Sequence, residues 1–217
     1  MRMDLRRRAL IAAQKEYYIP PEYAEIESLE FTGLQWFDTG IYFNEKTRLE
    51  VDFTPTRLPA SSEYPFVIGA YDGTYNCGID YLAPDNYSIY YNYGARGGTT
   101  YQAIFSGLYS DGLMARQIMA VNGRVATLNS QTITVQAAHS FTCGRTAYIG
   151  NTNRASGSYP AFIRGRKFII WDDGVNLSRF YVPVRRKTDD LGGYYDVINQ
   201  TFNPSMTNTP FVKGADV

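Results

Sequence analysis

The alternation of apolar and polar residues along the chain predicts short strands separated by turns. The clearest case is residues 48–54, where Leu49, Val51 and Phe53 alternate with polar residues. Such alternation is typical of an antiparallel strand with one buried face. Other short runs, rich in β-branched and aromatic residues, lie between turns of Gly, Asp and Asn. The pattern predicts an all-β sandwich, or jelly roll.

Several turns can be placed from the residues that favour them. In residues 118–128, the pair Asn122-Gly123 predicts a hairpin with a type I′ turn, since both residues tolerate positive φ. A second hairpin is predicted around Asp172-Asp173-Gly174, and a further turn at Asp38-Thr39-Gly40. Residues 151–160, between two predicted strands, have the composition of a loop.

One segment, residues 4–16, has a convincing helical pattern. Asp4 can cap its N-terminus, and Pro20-Pro21 prevents its continuation. A helix of about 12 residues is marginal alone in water, so we expect it to be ordered only by docking. The sequence therefore predicts a helical arm over residues 1–18, a Pro-containing linker over 19–25 and a sandwich over 26–217. The side chains expected to dock the arm are Leu5, Arg6, Arg7, Arg8, Leu10 and Ile11.

Charge and composition make some classes of protein, such as nucleic-acid-binding and membrane-spanning proteins, less expected for this chain. The 217-residue chain has zero formal charge, but five basic and two acidic residues give residues 1–16 a net charge of +3. This basic arm lacks interleaved aromatic residues and predicts a docking segment rather than a nucleic-acid-binding domain. The chain has no run of about 18 apolar residues, so the sequence predicts no membrane span. Its N-terminus does not match a signal peptide. Cys77 and Cys143 are therefore expected to be separate buried thiols in a reducing compartment, and the sequence leaves a disulfide between them as the alternative.

Motifs in the second half of the chain resemble the concanavalin A-like lectin/glucanase superfamily, in its laminin-G-like branch. There a "VNG" hairpin precedes a "YIG" strand, a loop and a closing hairpin with Trp-x-Asp-Gly. The matching residues here are Val121-Asn122-Gly123, Tyr148-Ile149-Gly150, Gly165 and Trp171 to Gly174.

The C-terminal segment is similar to laminin-G-like proteins from bacteriophages and prophages of gut bacteria. The resemblance extends to the opening residues 26–41, and in the C-terminal segment it lies in Phe180, Pro183-Val184-Arg185-Arg186-Lys187, Asp190, Gly192-Gly193, Tyr195-Asp196 and Phe202. It implies a virion protein, assembled in the host cytoplasm, such as a capsid decoration, fibre or tail-associated protein. The expected partners are other virion proteins and further copies of the chain.

Catalysis is not expected from the carboxylates or the histidine. Retaining glucanases of this superfamily place three carboxylates on one strand, but Thr54 stands where the acid/base Glu would follow Glu50 and Asp52. We therefore expect these residues to form a solvated strand face. His139, the only histidine, lacks the motif of a catalytic triad and is expected to be structural. We expect no cofactor or metal, although loop aspartates leave calcium open.

Exposed aromatic residues leave carbohydrate binding as an option, because sugar rings stack on aromatic rings while Asp and Asn bind their hydroxyl groups. The chain has 19 Tyr, and Tyr-rich sheets also form oligomer interfaces. From the sequence we favour packing between copies over glycan binding as the role of these tyrosines. Alternatives are a carbohydrate-binding module of a bacterial surface or secreted system and, less favoured, an endoglucanase. The candidate host-glycan-binding residues are Tyr71, Asp72, Tyr75, Asn76, Tyr90 and Tyr91.

Overall fold

The computed structural model describes residues 17–82, 87–95 and 99–217, and most of these form strands in two sheets. The sheets pack face to face around one apolar core that draws residues from both. The predicted all-β sandwich is therefore confirmed. The predicted helix and its docking residues, Leu5, Arg6, Arg7, Arg8, Leu10 and Ile11, lie outside the described residues.

The larger sheet contains eleven strands in the described part of the chain. Numbered in chain order, they are β1 (Tyr23–Glu25), β2 (Leu29–Thr32), β4 (Arg48–Pro55), β9 (Gln117–Asn122), β10 (Val125–Leu128), β11 (Gln131–Thr134), β14 (Phe162–Trp171), β15 (Arg179–Arg186), β16 (Leu191–Asp196), β17 (Thr201–Asn203) and β18 (Val212–Lys213). Its main order is β11-β10-β9-β4-β14-β15-β16-β17; β1 pairs with β15, and β2 pairs with β14 and β18.

Seven described strands form the second sheet. They are β3 (Phe37–Asn44), β5 (Phe66–Tyr71), β6 (Asn76–Leu82), β7 (Ser88–Ala95), β8 (Gln102–Phe105), β12 (Thr142–Ile149) and β13 (Thr152–Asn153). Their order is β3-β12-β5-β6-β7-β8, and the short β13 lies parallel to β5. Two short helical segments accompany the sheets, the 3₁₀ turn Thr99–Tyr101 and α1 (Tyr109–Met114), which the sequence analysis did not predict.

The predicted alternation in β4 is confirmed. Leu49, Val51 and Phe53 are almost completely buried in the core. On the neighbouring β14, Gly165 allows the Tyr194 hydroxyl to approach its backbone and donate to its carbonyl oxygen over 2.9 Å. A Cβ atom at Gly165 would lie 2.4 Å from that hydroxyl oxygen, so this contact requires glycine.

Two predicted turns differ in detail from the structure. Asp38-Thr39-Gly40 is not a turn but lies inside β3, where Gly40 has φ of 69° and the pairing with β12 is irregular. The predicted hairpin at Asn122-Gly123 exists, but Asn122 pairs with Val125, so the central turn residues are Gly123 and Arg124. Of these only Gly123 has a positive φ, which corresponds to a type II′ rather than a type I′ turn.

The outer face of the larger sheet carries a second apolar cluster, formed by Ile169, Phe180, Val182, Val184 and Tyr195. Tyr17 and Ile19 pack on this cluster, and Tyr17 donates a hydrogen bond to Glu25 over 2.5 Å. The last three residues of the predicted linker, 19–25, form β1 and pair with β15. Ordered contacts therefore begin before residue 26, because these apolar side chains cover the outer face of the sheet.

The surroundings of the cysteines and the histidine are those of packed side chains. Cys77 and Cys143 are both buried and free, as expected, but they are not separate, because the Cys77 thiol interacts with that of Cys143 and lowers the pKa of Cys143. The His139 ring lies among Tyr75, Tyr93, Tyr101 and Phe141, and its Nε2 is 3.1 Å from the Gly94 carbonyl oxygen. His139 therefore belongs to an aromatic packing cluster.

Candidate functional site

A pocket of about 260 Å³ opens on the outer face of the seven-stranded sheet. Its base belongs to β6, where Ile79 and Tyr81 point into the core and the intervening Asp80 points outward. The lining residues are Tyr64, Phe66, Tyr71, Asn76, Asp80, Thr152, Arg154 and Tyr159. The pocket thus combines four aromatic rings with four polar side chains.

Two of the six residues proposed from sequence line this pocket. Tyr71 ends β5 and Asn76 begins β6, and the two are partners across the strands. Tyr90 is the cross-strand partner of Asp80 and is half-buried, so it lies on the same face.

The other three proposed residues have different surroundings. Asp72 accepts hydrogen bonds from the backbone of Thr74, Tyr75 and Gly144, so its carboxylate stabilises the β5–β6 turn. The Tyr75 ring packs on Phe141 and His139 at the core. Tyr91 is buried in the core, where its hydroxyl donates to the Gly123 carbonyl oxygen.

The loop between β12 and β14 supplies one wall of the pocket, and Asn151 holds this loop in shape. Its side-chain oxygen accepts the backbone N–H groups of Thr152 (2.8 Å) and Tyr159 (2.9 Å), and its amide donates to the Ser158 hydroxyl. The Tyr159 carbonyl then accepts the backbone N–H of Phe66 over 3.0 Å. These bonds fix both ends of the loop beside β5.

Three polar atoms of the pocket are buried without a hydrogen-bond partner: Asn76 Oδ1, Thr152 Oγ1 and Arg154 Nε. Thr152 is only 3% exposed. Buried polar groups are normally hydrogen-bonded, and a buried unpaired group costs about 1–3 kcal/mol. Among the described residues, five side-chain atoms are buried and unpaired, and three of them gather in this pocket. They supply an acceptor, a hydroxyl and a cationic donor for a polar ligand.

The carboxyl group of Asp80, at the base of the pocket, holds its proton more strongly than an ordinary aspartate does. It is 5% exposed and accepts a hydrogen bond from the Asn92 amide, which in turn accepts one from Gln102. Burial raises the pKa of Asp80 from 3.8 to about 7, although the Asn92 bond opposes the increase. The carboxyl group is therefore largely protonated at mildly acidic pH and can then donate as well as accept.

Most residues of the pocket wall were not predicted from the sequence. Thr152, Arg154 and Tyr159 lie in a segment that the sequence identifies only as a loop. Phe66 is the first residue of β5, and Tyr64 lies two residues before it. The aromatic and arginine residues of 151–160 were a usable signal, but nothing in the sequence pairs this loop with β5.

The carboxylates considered for glucanase chemistry are held in ion pairs on the other sheet. Asp52 is not in a solvated strand face as expected, because it is 6% exposed and binds Arg116 through both oxygens. Glu50 pairs with Arg48 over 2.7 Å, and Thr54 accepts a hydrogen bond from Arg166. Both carboxylates therefore neutralise neighbouring arginines on the outer face of β4.

A groove of about 340 Å³ on the larger sheet is less suited to a ligand. It lies beside Tyr17, and its charged groups are mostly paired within the protein, as in the ion pair of Arg166 with Glu27. Among residues 17–82, 87–95 and 99–217 there is no cluster of three metal-binding side chains. The same part of the chain contains no helix with the length and apolarity needed to cross a bilayer.

Comparison of the sequence with protein-family models finds no match, and a search of curated proteins finds no relative.

Proposed function

We propose that the protein is a non-catalytic carbohydrate-binding β-sandwich of the laminin-G-like type, carried as an adhesion component on a bacteriophage particle. The pocket on the seven-stranded sheet binds the saccharide. The segment that precedes residue 17 attaches the sandwich to other virion proteins. The saccharide is a glycan of the host cell surface.

One observation carries the binding function: unpaired polar atoms and aromatic rings share one pocket. Rings such as Tyr159 offer apolar faces on which a sugar ring stacks. Asn76 and Thr152 offer hydrogen bonds that no described residue uses, and sugar hydroxyl groups can accept or donate them. The volume of about 260 Å³ is below that of drug-sized pockets and suits one sugar ring better than a long oligosaccharide.

The particle location is supported by the resemblance of the C-terminal segment to phage proteins and by the position of the chain's N-terminal part. Tyr17 and Ile19 lie on the outer face of the larger sheet, whereas the pocket opens on the outer face of the other sheet. A sandwich attached through residues 1–16 would thus leave its pocket accessible.

A glycan array probed with the full-length protein tests the binding function. We expect binding to a subset of bacterial surface glycans and at least about a fivefold loss of affinity for Tyr159→Ala, from the loss of ring stacking. The matched control is Tyr42→Ala, which removes a 53% exposed tyrosine from β3 of the same sheet outside the pocket.

Two results would reject the proposal. One is the absence of binding to any glycan across the array. The other is equal binding by the Tyr159→Ala and Tyr42→Ala proteins, which would place the contact elsewhere. If the full-length protein instead buries this face between copies, its solution mass will be that of an oligomer that dissociates on Tyr159→Ala.

A further inference from the structure

We propose that the ligand of this pocket is an acidic saccharide, and that Arg154 binds the carboxylate of one of its sugar residues. The inference rests on the proposed carbohydrate-binding function and adds the chemical class of the ligand. A uronic acid or a sialic acid has this chemistry.

Arg154 is held at the pocket by aromatic rings rather than by acids. Its guanidinium carbon lies 4.5 Å from the ring centroid of Tyr159 and 5.5 Å from that of Tyr71. Stacking on such rings orients a guanidinium plane and leaves its N–H groups at the edge available for hydrogen bonds. The Nε atom is buried without a partner, and Arg154 forms no ion pair with any described acidic residue.

The acids near the pocket do not neutralise this cation. Glu63, next to the lining residue Tyr64, is engaged by Arg57 over 2.8 Å. Asp80 is hydrogen-bonded to Asn92, and its raised pKa of about 7 leaves it largely uncharged below neutrality. The pocket therefore carries a positive charge at mildly acidic pH, which favours an anionic ligand.

A carboxylate on a sugar ring fits these groups. A guanidinium can donate two parallel hydrogen bonds to the two oxygens of a carboxylate, a stronger pairing than that with a neutral hydroxyl group. Asn76 Oδ1 can accept from a ring hydroxyl, and Thr152 Oγ1 can donate or accept. Because all three residues line the same pocket, an acidic sugar bound there would lie beside these groups while its ring contacts the aromatic wall.

The test compares acidic glycans with their carboxyl-reduced counterparts, which keep the same rings and linkages but carry CH₂OH in place of the carboxylate. Affinities of the full-length protein for both sets are measured at pH 6 by array and calorimetry. We expect carboxyl reduction and Arg154→Gln each to weaken binding about tenfold or more. Arg164→Gln is the matched control, because Arg164 lies on β14 of the other sheet and pairs with Glu30.

The possible outcomes distinguish a failure of the acidic-ligand inference from a failure of the proposed carbohydrate binding. Equal binding to acidic and carboxyl-reduced glycans would overturn the inference and leave the saccharide site intact. Binding to sulfated glycans in preference to carboxylated ones would also overturn it. Absence of binding to every glycan would overturn the proposed function as well. Because the reduced glycans test the carboxylate with the unaltered protein, the result does not depend on the folding of the Arg154→Gln variant.

Discussion

The side-chain amide of Asn92 donates a hydrogen bond of 2.5 Å to the buried carboxyl group of Asp80. The two residues lie on adjacent strands, β7 and β6, and both face away from the core. Tyr90 is on the same face, and the other titratable or charged groups that line the pocket above Asp80 are Tyr64, Tyr71, Tyr159 and Arg154. Asp80 is therefore a carboxyl group whose ionisation is opposed by burial rather than favoured by a paired cation.

Asp80 should make the folded state less stable as the pH rises. Its pKa is raised to about 7 in the folded state, so the folded protein holds this proton between about pH 4 and 7 whereas the unfolded chain has lost it. The stabilisation is complete below pH 4 and is lost above pH 7, with roughly 4 kcal/mol as the upper bound. Denaturant unfolding of Asp80→Asn should show a smaller decrease in unfolding free energy between pH 5 and 9 than the unaltered protein.

Other carboxylates titrate in both proteins, so the difference between the two pH profiles isolates Asp80. Parallel profiles for Asp80→Asn and the unaltered protein would contradict the assigned burial effect. The same pair of proteins measured in high salt serves as a control, since burial is little affected by screening.

Asn151 should affect ligand binding more than it affects global stability. Asn151→Ala removes the acceptor that fixes the backbone N–H groups of Thr152 and Tyr159, so the wall containing Arg154 loses its support. We expect glycan affinity to fall about tenfold while the unfolding free energy falls by about 1–3 kcal/mol. Ser158→Ala, which leaves both backbone bonds in place, is the milder control. Full affinity in a folded Asn151→Ala protein would show that the loop keeps its shape without this residue.

Gly165 should tolerate no side chain. In Gly165→Ala the new methyl group would meet the Tyr194 hydroxyl oxygen at 2.4 Å and the Phe168 ring at 2.9 Å, so the core must shift. Overpacking of this kind typically costs about 1–3 kcal/mol, to be measured as a lower denaturation midpoint. Gly112→Ala is the control, because the nearest atom to its Cβ is at 3.6 Å and alanine favours the helix α1. Equal stability of the two variants would contradict this packing argument.

The N-terminal segment should divide into a part needed for docking and a part needed for stability. Deleting residues 1–16 leaves Tyr17 and Ile19 on the outer apolar cluster, so the melting temperature should hardly change. Deleting residues 1–22 removes both side chains and should cost about 2–3 kcal/mol, with increased binding of a hydrophobic dye. Equal melting temperatures for the two deletions would contradict the role given to Tyr17 and Ile19.

The same deletion tests the expected oligomer. If residues 1–16 hold copies together, light scattering of the full-length protein should give a multiple of the 24.5 kDa chain mass, and the protein lacking residues 1–16 should be a monomer. A monomer in both cases would reject self-association through the arm and leave attachment to a different protein as its proposed role.

The sequence predicted the sandwich because its strands follow the period of two. Leu49, Val51 and Phe53 show this plainly, since each faces the core and the polar residues between them face outward. The alternation of faces along a strand also shows where the prediction of the site was wrong. Tyr90 and Tyr91 were both proposed for the ligand, although consecutive strand residues point to opposite faces, and only the structure shows that Tyr91 is the buried one.

The pocket itself depends on contacts between distant parts of the chain. Thr152 lies beside Gly69 through a short parallel pairing, which brings Arg154 and Tyr159 over β5. Composition identified this segment as a loop but carried no information about its neighbour. Asp80 was equally hidden, because a single aspartate in an apolar run does not reveal whether burial or pairing will determine its charge.

The separation of Tyr17 from the pocket has a consequence for attachment strength. An array of these sandwiches held by residues 1–16 would expose all of its pockets to solvent. Neighbouring copies could then bind the same polymeric glycan. Each contact after the first is then intramolecular, and the resulting avidity can exceed single-site affinity by about 10²–10⁴-fold. Under the proposed function, a pocket for one sugar ring would be sufficient for firm adhesion when many copies act at once.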